Sequence, residues 1–105
     1  MQAALKALAE PQRLEILKVI GSGEMAAGEI AEHFASTRPA ISQHLRVLLA
    51  ANLISERRDG TRRLYRVRPE TFAKLRAFLD GFWDIRLSQL KRTVENDARV
   101  KRRRR

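Results

Sequence analysis

The sequence predicts a mainly α-helical fold that carries one small β-hairpin, and three observations predict it. Apolar residues recur at helical spacing in four successive stretches before Asn52. Residues of β type then flank Asp59-Gly60, a pair suited to a tight hairpin turn. Beyond Pro69 a further apolar stripe at helical spacing runs on to about Asn96.

Each element has its own local cause. Gln2 to Ala9 is alanine-rich, with Leu5 and Leu8 at i, i+3. Glu10-Pro11 marks a fresh start, because proline fits the first helical turn, where its missing N–H costs nothing. Pro11 to Ile20 carries a broad apolar face of Leu14, Leu17 and Ile20, with Ile16 and Val19 beside them, and Gly21 and Gly23 end it. Ala27 to Phe34 repeats the spacing through Ala27, Ile30, Ala31 and Phe34. Ala35-Ser36-Thr37 is a tight connection, and the next helix runs from about Arg38 to Ala51 with Ile41, Leu45 and Leu48 at i, i+4, i+7. Two short helices joined by a short turn form a helix-turn-helix pattern. Leu53 to Val67 then reads as a two-stranded ribbon. In the last helix Phe72, Leu75, Phe78, Phe82, Trp83, Leu87 and Leu90 belong to a stripe too broad for one small domain, so part of it needs a second surface.

The sequence reads as one domain over residues 1–96, followed by a basic, flexible tail over residues 97–105. With 44% hydrophobic and 32% charged residues it has a globular composition. The absence of cysteine removes disulfides, thiolate metal sites and thiol nucleophiles together. The beginning of the chain has no signal-peptide core, and no window approaches ~20 apolar residues, so a cytoplasmic protein without a membrane partner is expected. The net charge of +10 is large for 105 residues, and the run Lys101 to Arg105 supplies five of those charges. A basic body with a basic tail points to a polyanion partner.

Stepping 100° per residue from Ile41 puts Leu45 and Leu48 within about 40° of it, as a buried line. Pro39, Gln43 and Arg46 fall on the opposite face with Ser42 beside them, Arg38 opens the helix, and His44 lies at the margin. Major-groove reading requires such a polar, non-acidic helix start. Gln pairs with adenine, Arg with guanine, Ser with either, and Pro39 offers an apolar surface to a thymine methyl. An ordinary solvated helix face would use the same residue types. On the ribbon, Arg57, Arg58, Arg62 and Arg63 surround Asp59-Gly60-Thr61. Four crowded arginines repel one another unless an anion is near, which suits a ribbon lying along a nucleic-acid backbone, although a solvated hairpin stays open. Tyr65 and Val67 read as core.

The segments LKALAEPQRLEIL (Leu5 to Leu17), GEMAAGEIAEHF (Gly23 to Phe34), RPAISQHLRVLLAANLI (Arg38 to Ile54) and RRDGTRRLYRV (Arg57 to Val67) resemble the ArsR-type winged helix-turn-helix regulators. GEIAEHF, RPAISQHLRVL and FWDIRLSQL (Phe82 to Leu90) look most similar to the branch whose genes are often found beside genes for START-like (SRPBCC) domains. The resemblance implies a homodimeric repressor acting on double-stranded DNA, with recognition helices in successive major grooves about 34 Å apart. It further implies that the N- and C-terminal helices form the dimer interface, through Leu5, Leu8, Phe78, Phe82, Trp83, Leu87 and Leu90. His44, in the S-x-H-L motif, is implied to pack or to touch phosphate.

Arsenic and cadmium sensors of this family carry ELCVCDL in the helix that here reads EMAAGEI, so Ala26 and Gly28 stand at the two cysteine positions. Its zinc sensors place Asp and His along the last helix, which here has Asp80, Asp84, Glu95 and Asp97 without histidine. Neither His33 nor His44 belongs to such a set, so no metal and no cofactor are expected.

An enzyme is not expected either. The chain has no histidine–carboxylate pair at useful spacing and no phosphate-cradling glycine loop, and Glu10, Glu15 and Glu24 read as ordinary surface pairs with nearby Arg or Lys. The competing classes are a winged helix that binds RNA, as a ribosome-associated protein would, and a nucleoid-type protein that binds DNA without sequence choice. RNA binding would favour exposed aromatics for base stacking. Nucleoid-type binding needs the charge but not the face of Pro39, Ser42, Gln43 and Arg46.

Overall fold

The computed structural model describes residues 1–103, with side chains described through residue 95. Its elements are α1 (Gln2–Leu8), α2 (Pro11–Ile20), β1 (Glu24–Ala26), α3 (Ala27–Glu32), α4 (Arg38–Ala50), β2 (Ile54–Asp59), β3 (Arg62–Val67) and α5 (Pro69–Arg103). Residues Met1–Phe72 form one compact unit, and a second unit begins at Ala73 within α5.

The first unit is built where local signals and burial agree. Glu10 caps α2 by accepting from the Arg13 N–H at 3.0 Å, and Pro11 stands in the first turn. Ile16, Leu17 and Ile20 turn inward, whereas Leu14 remains 41% exposed. In α1 the inward residues are Ala4 and Ala7, so a thin alanine face meets the core and leaves Leu5 outside. The α3 helix stops at Glu32, short of Phe34, and residues 33–37 make the turn into α4.

At its far end α4 closes with Asn52 at φ +60°: the Asn52 N–H reaches Leu49 O and the Leu53 N–H reaches Leu48 O, both at 3.0 Å. Those two hydrogen bonds form a Schellman cap, with buried Leu48 and Leu53 as its apolar pair. Thr71 Oγ1 then donates to Asn52 O at 2.6 Å, which ties the start of α5 to this corner.

The sheet has three antiparallel strands in the order β1-β3-β2, one more than the two-stranded ribbon expected. β1 pairs Glu24 with Arg66, Met25 with Tyr65 and Ala26 with Leu64. It also takes up EMA, so the helix begins at Ala27 as its spacing predicts, and only the later part of the segment EMAAGEI that the resemblance describes as helix is helical. The adjacent residues Leu64 and Tyr65 are both buried, so the central strand is covered on both faces at that point. The hairpin register pairs Asp59 with Arg62, so the two loop residues are Gly60-Thr61 and not Asp59-Gly60. Gly60 has φ +65° and Thr61 does not share it, the pattern of a turn with glycine at its first central position.

The second unit is the remainder of α5, which continues past the expected end at Asn96 as far as Arg103. The side chains of the proposed tail at residues 97–105 lie outside the described residues. Among the described residues no helix is long and apolar enough to cross a membrane.

Candidate nucleic-acid interface

α4 is presented as a rigid face. Thr37 Oγ1 accepts from the Ala40 N–H at 3.3 Å and caps the helix, while Pro39 occupies its first turn without losing a hydrogen bond. Ile41, Leu45 and Leu48 are at most 1% exposed and fix the rotation of the helix. With that line inward, Arg38, Pro39, Gln43 and Arg46 are exposed and Ser42 is half-buried. The helix contains no carboxylate, so nothing on it repels a phosphate. Arg46 Nη1 donates to Gln43 Oε1 at 3.4 Å, an exposed contact that either side chain can exchange for a base edge.

His44 is held from behind. Arg13 Nη1 lies 3.4 Å from His44 Nδ1, and a guanidinium has only donors, so Nδ1 accepts. The ring proton then sits on Nε2, which donates to Gln12 Oε1 at 3.2 Å. Gln12 Nε2 in turn donates to Ser36 Oγ, and Arg13 Nε donates to Ala7 O at 2.6 Å. These hydrogen bonds run from the end of α1 through α2 to α4 and the turn before it. Both ring nitrogens are engaged within the protein, which leaves the ring packed at the margin of the face. Gln12, Arg13 and Ser36 had no signal in the sequence, because their partner lies far along the chain from the α2 pair.

The hairpin arginines have anions of their own. Arg57 donates to Glu24 through Nε at 2.7 Å and Nη2 at 2.9 Å, a bidentate pair across the sheet. Glu24 is therefore no ordinary local surface pair, unlike Glu15 with Lys18. The hydrogen bonds from Arg57 hold the Glu24 carboxyl below its usual range, and Glu24 raises Arg57 in return. A depressed carboxyl contributes its stabilisation above the unfolded carboxylate range and loses it as pH falls through the folded value, so the pair stays ionised at neutral pH. Arg62 pairs with Glu29, and Arg63 lies 3.8 Å from Glu56. The crowding that the sequence attributes to an external anion is relieved by Glu24, Glu29 and Glu56. Among the described residues Arg58 has no ion-pair partner.

Helix and hairpin converge. A cleft of about 760 Å³ is lined by Arg38, Ser42 and Arg46 of α4, by Glu29 of α3, and by Arg62 and Tyr65 of β3. Thr61 and Arg63 reach the same cleft. Pro39 and Gln43 are exposed on α4 outside its lining, and Arg57 and Arg58 face a shallow depression on the hairpin with Arg63. Burial raises the Tyr65 phenol above its ordinary range, with the negative charge of Glu56 adding to it, so Tyr65 stays a neutral donor.

Comparison with known proteins decides the family. Residues 10–56 match the profile of the bacterial regulatory protein arsR family. An HTH-type transcriptional regulator of Mycobacterium tuberculosis is 39% identical over 95 residues, covering 90% of this chain and 89% of its own length. The chain belongs to the arsR family. The transcriptional repressor SdpR of Bacillus subtilis is 45% identical over 60 residues, which is 57% of this chain and 67% of that protein. The solution structure of a homodimeric winged helix-turn-helix DNA-binding domain from Mycobacterium bovis, a possible ArsR-family regulator, superposes with a TM-score of 0.64 at 35% identity. That match covers 79% of this chain and 77% of the other. In this arsR-family regulator, α3 and α4 are therefore the helix-turn-helix and β2–β3 is the wing.

The two positions that the resemblance assigns to metal-binding cysteines carry no metal ligand here. Ala26 ends β1 with a buried methyl group, and Gly28 faces Arg38, whose guanidinium would lie 3.5 Å from a Cβ placed there. Neither position has a donor atom, and the nearby cation would oppose a metal ion. Among the described residues no three His, Cys, Asp or Glu side chains cluster as a metal site.

The proposed dimer residues of this regulator remain uncovered in the single chain. Phe78, Phe82, Trp83, Leu87 and Leu90 are exposed along α5, with Trp83 at 56%, while Leu5 is exposed and Leu8 half-buried on α1. Arg86 lies over the Phe82 ring at 5.3 Å from its centroid, and Trp83 meets that ring edge-on at 5.5 Å.

Proposed function

We propose that this arsR-family chain is a homodimeric repressor that reads an inverted-repeat operator in double-stranded DNA in the cytoplasm. The observation that carries the reading is the carboxylate-free face of α4, exposing Arg38, Pro39, Gln43 and Arg46 beside a basic hairpin. In this reading Arg38, Pro39, Ser42, Gln43 and Arg46 enter the major groove, and His44 supports the helix from its margin. Thr61 and the wing arginines Arg57, Arg58, Arg62 and Arg63 lie towards the flanking backbone.

The apolar residues of α1 and α5 meet their counterparts in a second copy. A two-fold dimer sets two recognition helices about one helical turn apart, which is why an inverted repeat is expected. The homodimeric Mycobacterium bovis domain and the repressor named in Bacillus subtilis support dimerisation and repression respectively. Bound over a promoter, such a dimer excludes other proteins from the same DNA. It binds and carries out no reaction. We place it in a non-metal branch of the family because Ala26 and Gly28 offer no ligand, and near regulators whose genes lie beside START-like domain genes because GEIAEHF, RPAISQHLRVL and FWDIRLSQL resemble theirs.

Selection of duplexes from a random pool tests the reading. The bound pool is expected to converge on an inverted repeat. Arg46→Ala or Gln43→Ala should relax discrimination at one base pair per half-site by about 1–3 kcal/mol. A pool that stays random, or a variant that loses affinity for all sequences alike, would favour charge-driven binding of DNA or RNA without a reading face.

A further inference from the structure

The wing outruns its strand partners. β1 pairs with β3 only from Ala26–Leu64 to Glu24–Arg66, so Arg62 and Arg63 at the start of β3 are paired with β2 alone. The far end of the hairpin, from Arg58 to Arg63, therefore overhangs the three-stranded part of the sheet. A two-stranded ribbon without further support is marginal in water. Among the described residues, the ion pair of Arg62 with Glu29 is the one polar tie from that overhang to a helix. Glu29 is itself fixed, because its Oε1 accepts from the Ala26 N–H at 3.3 Å at the start of α3. Glu29 thus links the first helix of the helix-turn-helix to the wing 33 residues further along the chain.

The other arginines divide between holding and reaching. Arg57 is committed to Glu24 and Arg63 leans on Glu56 within the hairpin, which leaves Arg58 as the cation of the overhang without an ion-pair partner among the described residues.

Building on the DNA reading above, we infer that Glu29 is a positioning residue: it holds Arg62, sets the reach of the wing, and thereby delivers Arg58 to the phosphate backbone. A carboxylate beside a DNA-binding surface ordinarily weakens binding by repulsion. Here its removal should weaken binding too, which separates this account from simple electrostatics.

Glu29→Gln tests it, since the amide keeps an oxygen to accept from Ala26 and removes only the charge that holds Arg62. Binding is measured on two duplexes sharing the selected operator core, one with long flanks and one trimmed to the base pairs under the recognition helices. On the long duplex Glu29→Gln should bind about tenfold more weakly than wild type. On the trimmed duplex the two should bind alike. Arg62→Gln should give the same loss, and the double variant no more than either, because the two residues act as one unit. Arg58→Ala should lower long-duplex affinity and reduce the salt slope by about 0.9 for each phosphate that Arg58 neutralises.

Wild-type or tighter binding by Glu29→Gln on the long duplex would overturn the inference, making Glu29 only a brake on a DNA-contacting Arg62. An equal loss on both duplexes would overturn it as well, by placing the effect in the fold. Failure of the wild-type protein to bind either duplex would instead refute the DNA reading on which the inference rests.

Discussion

Replacing Trp83 with aspartate is expected to give a protein with the mass of one chain in solution and an operator affinity lower by about 10²–10⁴-fold. Trp83 is 56% exposed and stands on α5 beside Phe82, with Leu87 and Leu90 further along the helix. In the proposed dimer this apolar stripe is the surface that a second copy covers. A charge buried there without a partner costs about 3–5 kcal/mol. Each monomer would keep its own recognition helix and wing, so single half-sites should still bind weakly. What is lost is the second binding event, which a dimer makes intramolecular and therefore nearly free of further association cost. Light scattering and titration of one-site and two-site duplexes check both parts. A Trp83→Asp protein that remains dimeric would move the interface away from α5.

Leu45→Ala is expected to lower folding stability by about 2–5 kcal/mol, read as a drop in urea midpoint at unchanged slope. Leu45 is 1% exposed and lies between Ile41 and Leu48 on the buried line of α4. That helix packs against α1, α2, α3 and β2, so the cavity opens where several elements meet. Small domains have about 5–15 kcal/mol in all, and one truncation would remove a large part of it. Comparison at one fixed protein concentration is essential, because dimerisation adds to apparent stability by mass action. A loss below about 1 kcal/mol would mean that α4 is not anchored as described.

The two strongest local signals are legible in the sequence itself. Pro11 to Ile20 and Arg38 onward have both a start residue and an apolar period, and α2 and α4 begin at those residues. The line of Ile41, Leu45 and Leu48 follows from the same period and fixes which side chains of α4 face outward. β1 is not legible, because three residues are too few for an alternating pattern and their pairing comes from a strand some forty residues away. The hairpin is legible but its loop is displaced by one residue, since the register depends on cross-strand pairing as well as on the Asp-Gly pair.

At the candidate site, the kinds of residue can be read from the sequence and their partners cannot. Arg57 and Arg62 are each 33 residues from the carboxylate that holds them. His44 owes its orientation to Arg13 and Gln12 on a different helix. Contacts of that kind arise from tertiary placement, and no local period records them. The broad stripe on α5 is visible both as apolar spacing in the sequence and as exposed Phe82, Trp83, Leu87 and Leu90 in the fold.

In the proposed function α4 reads sequence. The most direct test is competition between a selected operator duplex and a random-sequence duplex of equal length, with full-length protein at one fixed salt concentration. The operator is expected to win by at least ~10³-fold. Equal affinity for the two duplexes would contradict it.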